Sequence, residues 1–144
     1  YGDHRDLHLS IRRQRQMCIR DRLYMGRAAC IGCHGGDGSG LDNLGPPLDG
    51  SDWVTGSTIR LTKVLLHGLQ GPITVSGKRY APPGAMPGLS MNPTISDQDI
   101  ADILTFIRHA WSNRATPVGQ SFVKESRESN KDQRGVPYKE KDLN

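Results

Sequence analysis

The stretch Cys30-Ile31-Gly32-Cys33-His34 decides how the rest of this 144-residue chain is interpreted. Two thiols three positions apart can each add to a vinyl group on one edge of a macrocycle, and the imidazole that follows then lies under the iron as its proximal ligand. C-x-x-C-H is the pattern for attachment of a c-type haem. We therefore predict one covalently bound haem c, joined through Cys30 and Cys33, with His34 as an axial iron ligand.

Three other interpretations of the cysteine pair have less support from the sequence. A thioredoxin-like C-x-x-C needs a βαβ setting, which the sequence does not predict. A zinc site needs two further ligands at matching spacing, and the chain holds no second pair of cysteines. A plain disulfide between Cys30 and Cys33 would not require His34.

Length and composition fit a single domain. Apolar residues make up 35% of the chain, and no run approaches the roughly 18 apolar residues that cross a bilayer, so the residues given are not membrane-embedded. The formal net charge is +4, but residues 1–22 hold six Arg and three Asp and supply most of it. A nucleic-acid partner would depend on that segment alone and is not expected.

Residues 1–22 have a second unusual property. Translated back into codons, residues 1–8 and 12–22 resemble a short-read sequencing adapter, with a variable index over residues 9–11. We therefore expect this segment to be non-native and the gene to enter in mid-frame near Leu23. On this interpretation Cys18 carries no chemical information, an upstream domain has been cut off, and no signal peptide is visible because the chain is truncated.

Helical periodicity is clear in two later segments. Residues 57–67 place Leu61, Val64 and Leu65 on one face, with Gly68 as a stop. Ser96 and Asp99 form an acidic variant of the capping box. A single apolar stripe follows them, consisting of Ile100, Ile103, Leu104, Ile107 and Trp111.

Long loops rich in Gly and Pro separate these helices. Residues 32–50 form one loop, and residues 71–95 form another that holds at most a small hairpin at residues 73–80. Such loops count against a plain globular domain unless a large apolar cofactor organises them. We predict an all-α fold wrapped around one haem, with a last helix starting at Thr116-Pro117 and a loosely held polar tail from Lys124 onward.

A low-spin electron-transfer haem needs a sixth ligand, which Met or His supplies. Met86 is favoured because it lies in a polar Pro- and Gly-rich loop, where a methionine has little reason to be present for packing. Met91 is the first alternative, although an ordinary surface role would also explain it. His67 is the second, although a capping or surface role at a helix end would explain it equally well.

Several motifs occur along the chain in a characteristic order. They are Cys30-x-x-Cys33-His34-Gly35, Asp37-Gly38-x-Gly40, Gly45-Pro46-Pro47-Leu48, Met86-Pro87 and the helix predicted from Ser96 to Trp111. In this order they resemble a class I cytochrome c domain across residues 23–144. A narrower resemblance, to the cytochrome c modules associated with bacterial quinone-dependent sugar and alcohol dehydrogenases, depends on Leu66-His67-Gly68-Leu69-x-Gly71-Pro72-Ile73, Gly77-x-x-Tyr80, Val123, Arg127 and Pro137-Tyr138.

The resemblance implies roles for four further residues. The Pro46 carbonyl would accept a hydrogen bond from the free N–H of the proximal imidazole and so fix its orientation. Trp53, Arg60 and Tyr80 could hydrogen-bond the haem propionates, with ordinary packing or surface positions as the alternative. We expect a cytochrome c domain over residues 23–115, followed by a C-terminal helix and polar tail over residues 116–144.

The predicted function is single-electron transfer and not catalysis, because ligation by His34 and Met86 leaves no open position on the iron. The resemblance implies a dehydrogenase as electron donor, a cytochrome or oxidase as acceptor, and the bacterial periplasm as compartment. A haem enzyme or sensor with a labile sixth ligand, peroxidase-like or gas-binding, is the main alternative. A structural haem store or a disulfide-stapled binding module would show no reversible redox wave.

Overall fold

The computed structural model describes residues 19–144, and most of their regular structure is helical, as predicted. The helices are α1 (residues 19–25), α2 (Ile31–His34), α3 (Asp52–Thr55), α4 (Thr58–His67), α5 (Asp97–His109), α6 (Gln120–Ser129) and α7 (Glu140–Leu143), with a 3₁₀ turn at Lys131–Gln133. The segment predicted to be non-native lies mostly outside the described residues.

Four short strands form two antiparallel pairs. Strands β1 (Gly68–Leu69) and β4 (Met86–Pro87) pair with each other, and β2 (Ile73–Val75) pairs with β3 (Lys78–Tyr80). The β2–β3 pair is the small hairpin that the sequence predicts. The β1–β4 pair was not predicted, and it gives regular structure to part of the loop expected over residues 71–95.

Helix α5 begins where its capping residues predict. The Ser96 hydroxyl accepts a hydrogen bond from the Asp99 backbone N–H at 3.1 Å, and the Asp99 carboxylate accepts from the Ser96 N–H at 3.0 Å. The helix ends at His109, so the predicted extension to Trp111 is wrong. Trp111 has a left-handed φ of 56°, and its indole N–H donates to the Gly36 carbonyl at 3.1 Å. The turn directs this ring back onto the core instead of continuing the helix.

The main core lies between α1, α4, α5 and α6. Tyr24 of α1 is fully buried, and its ring centroid lies 5.3 Å from that of Phe106 and 5.6 Å from that of Trp111. Its hydroxyl donates to the Gly35 carbonyl at 2.6 Å, which ties α1 to the end of α2. Within residues 19–144, no helix is both long and apolar enough to cross a membrane.

A buried arginine fixes α3 against α5. The Arg108 guanidinium donates to the carbonyls of Val54 at 2.8 Å, Gly56 at 3.2 Å and Thr116 at 2.8 Å. Burial lowers the pKa of Arg108 from its ordinary value, but these acceptors replace the water that its N–H groups lose. The contacts hold the short helix α3 in a defined place beside the core.

The C-terminal segment departs from the sequence prediction in two ways. The last long helix begins at Gln120 with Gly119 as its N-cap, so Thr116-Pro117 is not its start. Residues beyond Lys124 are not loosely held, because α6 continues to Ser129 and packs against α4 and α5. Farther on, Tyr138 is buried and forms a parallel bridge with Leu69. Hydrophobic periodicity does not predict such a contact between residues that are far apart in the sequence.

Glu140 attaches the C-terminal segment to the hairpin, and its removal has a predictable pH signature. Its carboxylate accepts from the Thr74 backbone N–H at 2.8 Å and from Arg79 at 2.6 Å. The Thr74 hydrogen bond, followed by the Arg79 interaction, lowers the pKa of Glu140. A lowered folded-state pKa contributes stability that is present above the unfolded pKa and is lost as pH falls through the folded value.

We expect Glu140→Gln to lower the free energy of unfolding at pH 7 by about 0.2–1 kcal/mol, the range for solvent-exposed ion pairs. Chemical unfolding of both proteins between pH 7 and pH 3 measures the difference. The difference should shrink as pH falls below about 4.3, because the carboxyl of the unfolded state binds a proton there and the folded state binds one only at lower pH. A difference that stays constant down to pH 3 would contradict this account of Glu140.

Candidate haem site

His34 is buried at the end of α2 and its ring orientation is fixed. Its Nδ1 lies 2.8 Å from the Pro46 carbonyl oxygen, and since a carbonyl only accepts, Nδ1 carries the proton and donates. Burial lowers the pKa of His34, and the Pro46 hydrogen bond acts in the opposite direction. The imidazole is therefore neutral at neutral pH, with Nε2 free of its proton and suited to a metal.

Gly45 allows the Pro46 loop to approach His34 this closely. A Cβ at position 45 would lie 2.8 Å from the Cys33 carbonyl oxygen and 3.0 Å from Cε1 of His34. Any larger residue would push the loop away and break the hydrogen bond that orients the ring. The order Gly45-Pro46 thus has a steric reason in this chain.

The two cysteines of the motif lie at either end of a single helical turn. Cys30 is half-buried and lines an internal cavity, whereas Cys33 is exposed, and the two thiols are not bonded to each other. Burial raises the pKa of the Cys30 thiol to about 11. Across residues 19–144, no group of three or more His, Cys, Asp or Glu side chains is placed to hold a metal ion, so a zinc site has no support there.

The cavity beside Cys30 and His34 has the apolar lining of a cofactor site. It encloses about 60 Å³, and about 580 Å³ once the crevices between its lining atoms and its open mouth are included. Its walls come from α4, α5 and the short strands, and include Leu61, Leu65, Leu69, Val75, Ile103 and Ile107. An apolar macrocycle carrying iron fits this donor set, because the walls exclude water while a thiol and an imidazole reach the same space.

Of the three candidates for the sixth ligand, Met86 lines this cavity, and Met91 and His67 do not. Met86 is half-buried on β4, where it is paired with Leu69 of β1, and not in a structureless loop. Met91 is 57% exposed, and its sulfur accepts from Arg134 at 3.0 Å. His67 is buried, but its ring packs edge-on against Tyr138 with centroids 5.8 Å apart.

The three candidate propionate partners occupy different positions. Trp53 lines the cavity, but its indole N–H donates to the Thr74 carbonyl at 2.8 Å. Arg60 lies over the Trp53 ring at 4.1 Å and does not line the cavity. Tyr80 borders a second groove, between residues 39–47 and 78–82, that shares Pro46 and Pro47 with the cavity.

Sequence reasoning missed two kinds of site residue. Leu69 and Val75 form part of the cavity wall from strands of two and three residues, which are too short for a periodic signal. Asn113 is buried and joins the loop before α3 to α5: its amide donates to the carbonyls of Leu48 at 3.0 Å and Ile107 at 2.9 Å. The apolar stripes on α4 and α5 were predicted as core, and part of each stripe also faces the cavity: Leu61, Val64 and Leu65 on α4, and Ile103 and Ile107 on α5.

The sequence profile of the cytochrome c family matches residues 21–111. This range is more than half of the chain, and the chain therefore belongs to the cytochrome c family. The domain carries covalently bound haem c and transfers electrons, which is the function of a carrier and not of a catalyst. The resemblance drawn from C-x-x-C-H and the later motifs is confirmed.

Relatives among curated proteins include two kinds of cytochrome. The cytochrome c subunits of quinone alcohol dehydrogenase from Gluconacetobacter polyoxogenes and Gluconobacter oxydans are 41% and 39% identical over 88 and 87 residues. Cytochrome c-552 of Thermus thermophilus is 37% identical over 90 residues. Each match covers 60% of this chain, which spans 18% and 17% of the two dehydrogenase subunits and 65% of cytochrome c-552. The narrower resemblance to dehydrogenase-associated modules is thereby confirmed.

Proposed function

We propose that this domain is a single-electron carrier in which His34 and Met86 are the two axial ligands of one haem c, attached through Cys30 and Cys33. The proposal is supported chiefly by the lining of the apolar cavity, which includes Cys30, His34 and Met86 but neither Met91 nor His67. A thioether and an imidazole are the ligand pair of electron-transfer cytochromes c.

The chain's own residues have clear tasks in such a carrier. When bound, the haem supplies an iron that cycles between its ferric and ferrous states, and a thioether ligand favours the ferrous one. Pro46 holds the imidazole by its Nδ1–H, and the apolar walls exclude water. The β1–β4 pair fixes the backbone of the strand that carries Met86. Because both ligand positions are filled, substrate chemistry at the iron is disfavoured.

Electron exchange with a partner requires that part of the haem approach the surface. Cys33 is exposed whereas Cys30 is half-buried, so the thioether bond at Cys33 would be the one closer to solvent. Tyr80 borders the groove next to Pro46 and remains our candidate for a propionate contact. Trp53 and Arg60 remain candidates as well, although Trp53 would have to release its hydrogen bond to Thr74.

We propose a dehydrogenase as electron donor and a cytochrome or terminal oxidase as acceptor, in the bacterial periplasm. The relatives named as cytochrome c subunits of a quinone alcohol dehydrogenase support the donor class. Covalent haem attachment depends on export, which supports an extracytoplasmic compartment. Within the chain, we propose that residues 23–115 form the cytochrome domain and that residues 116–144 add a C-terminal helix and tail to it.

Carbon monoxide binding distinguishes this proposal from an enzyme or gas sensor. The reduced wild-type protein should show no change in its visible spectrum under carbon monoxide at neutral pH, because Met86 fills the sixth position. The same sample should give one reversible one-electron wave in cyclic voltammetry. Rapid carbon monoxide binding would favour the alternative with a labile sixth ligand, and the absence of a reversible wave would exclude electron transfer.

Gly68 offers a second test, because it permits the close approach of β1 to β4. Its φ is +90°, and a Cβ there would collide with the Met86 carbonyl oxygen. We expect Gly68→Ala to displace Met86 and to reduce strongly the far-red charge-transfer band between methionine and ferric iron. The matched control is Gly71→Ala, since Gly71 also has a positive φ of +80° but open space around it. Its backbone strain should lower stability by about 1–2 kcal/mol and leave the band unchanged. Equal loss of the band in both variants would show that strain, and not the collision with Met86, is responsible.

A further inference from the structure

Residues 136–143, which we call the C-terminal strap, lie along the edge of strand β1 that does not pair with β4. The Tyr138 backbone N–H donates to the Gly68 carbonyl at 3.0 Å, and the Gln70 N–H donates to the Tyr138 carbonyl at 2.8 Å. The Gln70 side chain donates to the Pro137 carbonyl at 3.2 Å. Together these bonds make Tyr138 a parallel neighbour of Leu69.

The opposite edge of β1 pairs with the strand that contains Met86. Leu69 therefore lies between two partners, Met86 on one side and Tyr138 on the other. A pair of two-residue strands is marginal by itself, whereas a third strand adds hydrogen bonds and a packed face. The position of Met86 thus depends on a strand that is itself held by the strap.

Side chains reinforce the backbone pairing. Tyr138 is 8% exposed and belongs to an apolar cluster with Trp53, Leu69 and Val75, against which Met86 also packs. Its ring contacts the buried His67 at the end of α4. Farther along the strap, Glu140 is bonded to Thr74 and Arg79 of the hairpin. The strap therefore contacts both small sheets that contribute to the cavity wall.

We infer that the strap, acting through Tyr138 and β1, is a positioning element that holds the Met86 thioether on the iron against competing ligands. This inference rests on the proposed ligation by Met86. The family profile ends at Trp111, so the strap lies outside the region through which the chain was assigned to its family. Tyr138 itself does not line the cavity, and its effect must pass through Leu69 and Met86.

The test is a titration of the ferric holoprotein with imidazole, in which binding is measured by the loss of the far-red band. Imidazole can bind only when the thioether leaves, so its apparent affinity reports how firmly Met86 is held. We expect removal of residues 136–144 to increase this affinity about tenfold, which corresponds to about 1.4 kcal/mol. Tyr138→Ala keeps the backbone in place and should produce a smaller increase.

Val123→Ala is the matched control for a general loss of stability. Val123 is fully buried in the main core on α6, and it is neither a cavity residue nor a neighbour of β1. Its truncation should lower the free energy of unfolding while changing the imidazole affinity less than twofold. An equal increase in affinity in Val123→Ala and in the truncated protein would overturn the inference, as would a truncated protein with wild-type affinity.

Met86→Ala separates failure of the strap from failure of the ligand assignment. If Met86 is the ligand, this variant lacks the band and binds imidazole far more tightly than the wild type. If Met86→Ala gives this result and the truncated protein still behaves like the wild type, the inference about the strap fails but the ligand assignment stands. If Met86→Ala retains the band, the ligand assignment fails and the inference about the strap fails with it.

Discussion

Replacing Cys30 and Cys33 together by Ala is expected to give a protein with no haem that survives denaturation. Each thiol supplies one thioether bond, and C-x-x-C-H provides both attachment points. Either single variant should keep one bond and mature in lower yield. Haem staining on a denaturing gel, together with the intact mass, measures the result.

Cys18→Ser is the control for this experiment, because Cys18 lies outside the motif and in the segment predicted to be non-native. It should stain like the wild type. Retained staining in the Cys30 and Cys33 double variant would contradict covalent attachment through these residues. Loss of staining in Cys18→Ser would contradict the interpretation of residues 1–22.

Met86→Ala is expected to change three properties of the holoprotein together. The far-red band of the ferric form should disappear, the ferrous form should bind carbon monoxide, and the reduction potential should fall by on the order of 0.1 V. The potential falls because loss of the thioether removes a ligand that favours ferrous iron, and axial ligands set haem potentials over a range of about 0.8 V. Absorption spectra and a redox titration measure all three.

Met91→Ala is the matched control, because Met91 is only five residues away but is exposed and outside the cavity. It should leave all three properties intact. If Met91→Ala removes the band instead, the ligand is Met91 and the electron-transfer function survives. If neither variant removes it and magnetic resonance indicates two imidazoles, His67 becomes the sixth ligand.

The parts of the fold that follow from local sequence were predictable. Ser96 and Asp99 marked the start of α5 because a capping box needs only residues three positions apart. Ser57 and Gly68 marked the two ends of α4 for similar local reasons, since they are its N-cap and C-cap residues. The end of α5 was not predictable from periodicity, because Trp111 continues the apolar stripe but reaches the core from a left-handed turn.

Pairing between distant segments could not be predicted in the same way. Leu69 pairs with Met86 through two strands of two residues and with Tyr138 through an isolated bridge, and segments this short carry no alternating pattern. Such contacts depend on where the helices place the chain, and only the assembled structure gives that information. The expected polar tail therefore proved to include a residue with two backbone hydrogen bonds to β1.

In the candidate site, too, the local motif was predictable and the contacts between distant segments were not. Cys30, Cys33 and His34 form a local motif and were predicted from five residues. Pro46 was predicted from the family resemblance, and its carbonyl does contact the His34 ring at 2.8 Å. The cavity wall was not predicted as such, since residues that face a cofactor have the same apolar pattern as residues that face a core.

The most direct test of ligation by Met86 is proton magnetic resonance of the reduced protein with isotopically labelled methionine methyl groups. A methyl group on an iron-bound sulfur lies over the macrocycle, whose ring current shifts its signal strongly upfield. The account predicts one such signal among the four methionines, lost in Met86→Leu and retained in Met91→Leu. A reduced wild-type protein without a shifted methionine methyl signal, or a shifted signal that persists in Met86→Leu, would contradict it.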